Sequence, residues 1–127
     1  MEQASAELLR KVSVVIPTLN EGKSIGAVLD EIPRGVLEVI IVDGNSTDGT
    51  QGIARAKGAR VVVEPRRGYG RAYKTGFEAA RGTYILTLDA DLTYPPDAFP
   101  EFLAALEADH ADFVSGERMS QIGRAHV

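Results

Sequence analysis

The chain has 127 residues and no cysteine, which is enough for one domain with a core and excludes disulfides, thiolate metal sites and a cysteine nucleophile. Its 44% hydrophobic and 25% charged residues describe a globular domain, and a net charge of −4 argues against a nucleic-acid partner held by charge attraction. No run approaches the roughly 18 apolar residues of a membrane span, and Met1 to Lys11 lacks the apolar centre of a signal peptide, so the expected location is cytoplasmic, or at most peripheral at the cytoplasmic membrane face.

Met1 to Arg10 is of mixed polarity and is expected as a frayed, partly helical lead-in without chemistry. Val12 to Ile16 is a β-branched run stopped by Pro17, the pattern of a buried first strand. Ile25, Val28, Leu29 and Ile32 then recur at helical spacing, and Pro33 and Gly35 end that helix. Val39 to Val42 repeats the strand pattern and halts at Asp43-Gly-Asn-Ser-Thr-Asp-Gly49, a cluster of turn and cap residues, before a helix carrying Ile53 and Ala54. Val61 to Val63 is the third strand. After a loop from Pro65 to Gly70, Ala72, Tyr73, Gly76, Phe77 and Ala80 mark a third helix that ends at Gly82.

Tyr84 to Leu88 is a fourth strand that runs into two carboxylates, Asp89 and Asp91, before Pro95 and Pro96 stop it. Phe99, Phe102, Leu103 and Leu106 give a fourth helix its apolar stripe, and Phe113 to Ser115 is a short fifth strand. Strand and helix alternate throughout, with strands apolar on both faces. The expected fold class is therefore α/β, a mostly parallel sheet flanked by helices. Residues 122–127, Ile-Gly-Arg-Ala-His-Val, show no periodicity and are similar to a translated sequencing adapter. They are expected to be an artefact or a disordered tail outside the fold, with the chain truncated at its C-terminal end. His126 then has no role, and His110 is expected on the surface.

Two carboxylates at the end of a buried strand repel unless a cation is shared between them. Hard oxygen ligands suit Mg²⁺ or Mn²⁺, and Mg²⁺ takes one or two carboxylates beside waters and substrate phosphates. The competing reading is a strand ending in an ordinary Asp turn. Convergence weighs toward the site: Asn20 and Glu21 follow the first strand, Asp43 to Ser46 the second, Asp89 and Asp91 the fourth, and in a parallel sheet these ends share one edge. Asn20, Ser46 and Asp48 are read first as capping or helix-dipole residues. Asp43, an acceptor-only carboxylate, can serve a turn or receive an imide N–H from uracil or guanine. From Lys57 to Arg81, seven of the chain's 14 basic residues fall within 25 positions. Most of these read as a solvated face, although Arg66, Arg67 and Arg71 surround Gly68 and Gly70, where backbone and guanidinium donors can meet an anion.

Four segments, Val12 to Glu21, Ile40 to Thr50, Gly68 to Phe77 and Leu88 to Pro96, together resemble the family 2 glycosyltransferases with a GT-A fold. Within that family the chain is most similar to the dolichol- or polyprenyl-phosphate mannosyl- and glucosyltransferases. The resemblance makes residues 1–121 the N-terminal, nucleotide-sugar-binding part of a GT-A domain. It implies that Pro17, Leu19 and Glu21 hold the nucleoside, with Val42 and Asp43 at the base. It also implies that Asp89, Ala90 and Asp91 form a DXD-type motif whose metal ligands and catalytic groups are Asp91 and Asp89. Arg118, in Ser115-Gly-Glu-Arg118, falls where the family meets the acceptor phosphate. Gly44 stands where the family often has a second Asp, and Thr93 where it often has Gln.

The implied reaction is metal-dependent, inverting transfer of a hexose from GDP- or UDP-hexose to a polyprenyl (dolichyl-type) phosphate at the membrane surface. Two alternatives stay open: a family 2 transferase acting on a soluble acceptor such as phosphoglycerate or on a polysaccharide, and an inactive nucleotide-binding fragment. A phosphatase of the Asp-x-Asp type fits poorly, because its nucleophilic Asp follows the first strand, where Pro17 stands.

Overall fold

Val12–Thr18 is buried at every position, and the sheet is laid down on both sides of it. The computed structural model describes residues 2–90, 113–114 and 121–124, with side-chain surroundings for residues 6–90. In chain order the elements are α1 (Glu2–Leu9), β1 (Val12–Thr18), α2 (Ile25–Asp30), β2 (Glu38–Asp43), α3 (Thr50–Ala56), β3 (Arg60–Val63), α4 (Tyr69–Ala79), β4 (Tyr84–Thr87), β5 (Phe113–Val114) and β6 (Gln121–Arg124). The strands form one sheet in the order β3-β2-β1-β4-β6-β5. β1 pairs in parallel with β2 and β4, and β2 with β3, whereas β6 runs antiparallel to both β4 and β5.

Side chains alternate across a strand, so a strand apolar at every position needs cover on both faces. Val12, Val14 and Ile16 pack with Ile41, Leu86 and Leu88 against Ile25, Val28 and Ile32 and against Ala54 of α3. Val15 faces the other way with Ile40, Val42 and Ile85, beneath Ala72, Tyr73 and Ala79 of α4. Leu8 and Leu9 of α1 pack at the margin of the first cluster, so the lead-in is a docked helix.

Residues 122–124, expected outside the fold, belong to β6, with Ile122 opposite Leu86 and Gly123 opposite Ile85. The physical reason is backbone demand: β4 would otherwise present an unpaired edge, and ladder hydrogen bonds do not require side-chain periodicity. The expected helix around Phe99 to Leu106 lies outside the described residues, as do Ser115, His110 and His126. Among the described residues, no helix is long and apolar enough to cross a membrane.

Candidate active site

Because β1 to β4 run parallel, their C-terminal ends share one rim. The loops leaving β1, β2 and β3 enclose a cleft of about 560 Å³ at this rim. Pro17, Leu19, Glu21 and Val42 line it, with Gly44 and Asn45 extending the β2 side. The facing wall is Glu64, Arg66, Arg67 and Tyr69, from the loop after β3. That third loop was not counted among the converging acidic strand ends, although its arginines and glycines were read as able to meet an anion.

Asp43 does not line the cleft but lies beneath it, with none of its surface exposed. Its Oδ1 accepts hydrogen bonds from Thr18 Oγ1 at 2.6 Å and Ser46 Oγ at 2.6 Å, and its Oδ2 from Ser46 N–H at 2.7 Å and Gln51 Nε2 at 2.8 Å. Burial pushes the carboxyl up, but the Ser46, Thr18 and Gln51 donors outweigh burial and hold it below the usual range. A carboxylate offers about four lone-pair sites, and all are engaged inside the protein. In this arrangement Asp43 holds two loops together.

The same loops are stapled again at their outer ends. Asn20 N–H donates to Ser46 Oγ at 2.7 Å, Thr47 N–H to Asn20 Oδ1 at 2.9 Å, Glu21 N–H to Thr50 Oγ1 at 3.0 Å and Gly22 N–H to Asp48 Oδ2 at 2.9 Å. Asn20 and Asn45 both take positive φ, of 54° and 72°, the left-handed region that asparagine tolerates better than most residues. Asn20 and Ser46 were read first as capping residues and Asp48 as a helix-dipole residue. Asn20 works across the loops, Ser46 both across them and onto Asp43, and Asp48 accepts Gly22 N–H across the loops and Thr50 N–H at the start of α3, whose N-cap is Gly49 with no side-chain cap.

On the opposite wall Glu64 is only 5% exposed. It receives Arg66 Nε at 2.9 Å and Arg66 N–H at 3.0 Å on Oε2, and the Arg66 terminal NH2 at 2.7 Å and Thr75 Oγ1 at 2.7 Å on Oε1. Hydrogen bonds from Arg66 and Thr75, with the Arg66 charge, bring its carboxyl down to about 2. Sequence reasoning passed over Glu64. The signal was available, since it is the acidic residue at the end of a strand, the criterion that selected Asp43 and Asp89.

At the end of β4, Asp89 is exposed on the same rim and Ala90 is buried in the core. Leu88 N–H donates to Val15 C=O at 3.1 Å, and Ser24 Oγ donates to the Ala90 carbonyl, which ties this turn to the loop after β1. Ser24 is a second residue that sequence patterning did not single out. Asp91, Thr93 and Arg118 lie outside the described residues. Among the described residues no group of three or more His, Cys, Asp or Glu is placed to hold a metal ion.

This architecture has close counterparts. An uncharacterized glycosyltransferase of Mycobacterium tuberculosis is 44% identical over 112 residues, 88% of this chain and 50% of that protein. The dolichyl-phosphate hexose transferase of Haloferax volcanii is 42% identical over 113 residues, 87% of this chain and 49% of that protein. The chain thus spans about half the length of these relatives. Among solved structures, glucosyl-3-phosphoglycerate synthase from M. tuberculosis, in complex with Mn²⁺, uridine diphosphate and glucosyl-3-phosphoglycerate, matches with a TM-score of 0.70 at 35% identity, over 83% of this chain and 42% of that one. Mannosyl-3-phosphoglycerate synthase from Rubrobacter xylanophilus matches with a TM-score of 0.72 at 28% identity, over 82% and 38%. The sheet and its flanking helices are those of GT-A, Rossmann-like glycosyltransferases, present here as a partial domain. With the family profile matching residues 13–125, the chain belongs to glycosyl transferase family 2.

Proposed function

We propose that the whole protein is an inverting, metal-dependent glycosyltransferase that moves a hexose from a UDP- or GDP-hexose to a polyprenyl (dolichyl-type) phosphate. The observation that carries this reading is the cleft built from three strand-end loops on the rim where Asp89 also emerges. A nucleoside suits that cleft, because Pro17, Leu19 and Val42 supply apolar surface while Asn45 and the loop backbone supply polar groups. The likeness to a dolichyl-phosphate hexose transferase supports the lipid phosphate acceptor.

Asp89 and Asp91 would hold Mg²⁺ or Mn²⁺. Two carboxylates one residue apart fit a hard cation whose remaining positions go to water and donor phosphate oxygens, and a relative crystallised with Mn²⁺ is consistent with this. When bound, such an ion supplies Lewis-acid stabilisation of the charge that develops on the departing nucleoside diphosphate. The protein's own work is to position. The stapled loops hold the nucleoside, Ser24 fixes the turn at Ala90, and Arg118 aligns an acceptor phosphate already ionised near neutrality.

A second reading, transfer to a soluble phosphoglycerate, is favoured by the structural neighbours that bind phosphoglyceric acid. Incubating the full-length protein with labelled donor and either extracted polyprenyl phosphate or phosphoglycerate separates the two. Label is expected in the lipid fraction, and label in phosphoglycerate would replace that acceptor. In the same assay Asp91→Ala is expected to abolish metal-dependent turnover, and undiminished activity in that variant would remove the metal from the reading.

A further inference from the structure

Ser24 stands at the N-cap of α2, where a serine oxygen ordinarily accepts an N–H from the helix's first turn, yet it makes no such bond. Its hydroxyl has one proton to give. The Glu21 carbonyl, at 3.5 Å, is beyond the usual reach of an O–H donor, so the proton goes to the carbonyl of Ala90, 66 positions along the chain. A capping type is thus turned away from its own helix and toward the turn that carries Asp89. Ser24 itself does not line the cleft, and the loop residues that do are held without its hydroxyl, through Thr18 on Asp43, Asn20 on Ser46 and Glu21 on Thr50.

The accepting carbonyl is part of the planar peptide that joins Ala90 to Asp91, so holding its oxygen orients the one peptide that lies between Ala90 and the second carboxylate. Ala90 is only 5% exposed, which makes that oxygen costly to leave without a donor. On the other side of Asp89 the turn is tied to β1 by Leu88 N–H on Val15 C=O at 3.1 Å. Two anchors therefore bracket Asp89, one from the first strand and one from the start of the helix that follows it. Without the Ser24 hydroxyl only the strand-side anchor of this pair remains. We propose that Ser24 is a positioning residue for the divalent ion: its hydroxyl fixes the turn between the two carboxylates and so raises metal affinity, separately from the hold on the nucleoside. This rests on the reading of Asp89 and Asp91 as metal ligands. Ligands already held at a set spacing lose less freedom on binding an ion than ligands on a loose turn.

The test compares the unaltered full-length protein with Ser24→Ala, Ser24→Thr, Ser24→Val and Asp89→Asn in two titrations. Mn²⁺ is titrated in the presence of UDP and, separately, GDP, with free Mn²⁺ read by electron paramagnetic resonance. The same nucleotides are titrated calorimetrically with all divalent metal chelated. Ser24→Ala is expected to weaken Mn²⁺ about tenfold, the lower end of what groups that orient metal ligands contribute, and to leave metal-free nucleotide affinity unchanged. Ser24→Thr keeps the hydroxyl and should restore most of the loss, whereas Ser24→Val, of the same shape without the hydroxyl, should match Ser24→Ala. A merely structural Ser24 would not produce that split. Unchanged Mn²⁺ affinity in Ser24→Ala, an equal loss of Mn²⁺ and of metal-free nucleotide, or a valine variant that performs as well as the threonine one would overturn the proposal. If the unaltered protein takes up no Mn²⁺ with either nucleotide, or Asp89→Asn takes it up equally well, the metal-site reading itself fails and the proposal falls with it.

Discussion

Asp43 shows how much of a binding site can be scaffolding. Its carboxylate touches Thr18 at the end of β1 and Ser46 and Gln51 beyond β2, so one buried group sets the spacing of two cleft-forming loops. Asp43→Asn keeps the shape but turns an NH2 toward groups that are themselves donors. The expected cost is about 1–3 kcal/mol of stability, read from urea denaturation. Because the folded protein holds Asp43 below its ordinary value of 3.8, its contribution is present above that pH and is lost as pH falls through the lower folded value. Glu64 behaves in the same sense over a window that can be named. Its ordinary value is 4.5 and its folded value about 2, so its stabilising effect is complete above 4.5 and disappears as pH falls toward 2. Denaturation midpoints measured down this range should fall less steeply in Glu64→Gln than in the unaltered chain. Parallel curves would show that the Glu64 pairing contributes nothing.

At the scale of elements, α4 is placed by what it lacks. Gly76 faces the sheet so closely that an added Cβ would meet Val15 and Val42. Gly76→Ala is therefore expected to cost about 1–3 kcal/mol through overpacking. Gly52, inside α3, has nothing within 4 Å of the position a Cβ would occupy. Gly52→Ala should stabilise by roughly 0.5–1 kcal/mol, since alanine restricts the unfolded chain and favours helix. Thermal unfolding of the two variants should move in opposite directions.

The elements were legible to the extent that burial on both faces writes itself as a continuous apolar run, as in Val12 to Ile16 and Val39 to Val42. Helix faces were less so. Ile53, which with Ala54 marked its helix, is exposed while neighbouring Ala54 is buried; Phe77, counted toward the helix's apolar pattern, is also exposed. In both places small residues let the helix approach the sheet and turn the larger side chain outward. β6 was not legible, because its place is decided by the open edge of β4 and not by its own Gln-Ile-Gly-Arg sequence.

For the molecule as a whole, the reading that survives best is the gathering of strand-end loops on one rim, which followed from parallel topology alone. The partition of labour around that rim did not follow. Thr18 with Asp43 and Glu21 with Thr50 are partners separated by 25 and 29 positions, and nothing local announces such pairs. The third loop was weighed mostly as a solvated face for a different reason: the buried acid that organises Arg66 was hidden at the end of a short strand. Of the seven basic residues from Lys57 to Arg81, three form ion pairs among the described residues, Lys57 with Asp30, Arg60 with Glu38 and Arg66 with Glu64. The first joins two exposed groups and contributes little by general experience of surface pairs, whereas Glu38 in the second is largely covered and also accepts from Ser13 Oγ and Arg81 N–H.

The most direct test of the central claim, that this rim holds a nucleoside diphosphate through a shared divalent ion, is titration of UDP and GDP into the purified chain with and without Mn²⁺. Binding of at least one nucleotide that strengthens when Mn²⁺ is added, and loses that strengthening in Asp89→Asn, is the expected result. Binding indifferent to Mn²⁺, or no binding of either nucleotide, would contradict it.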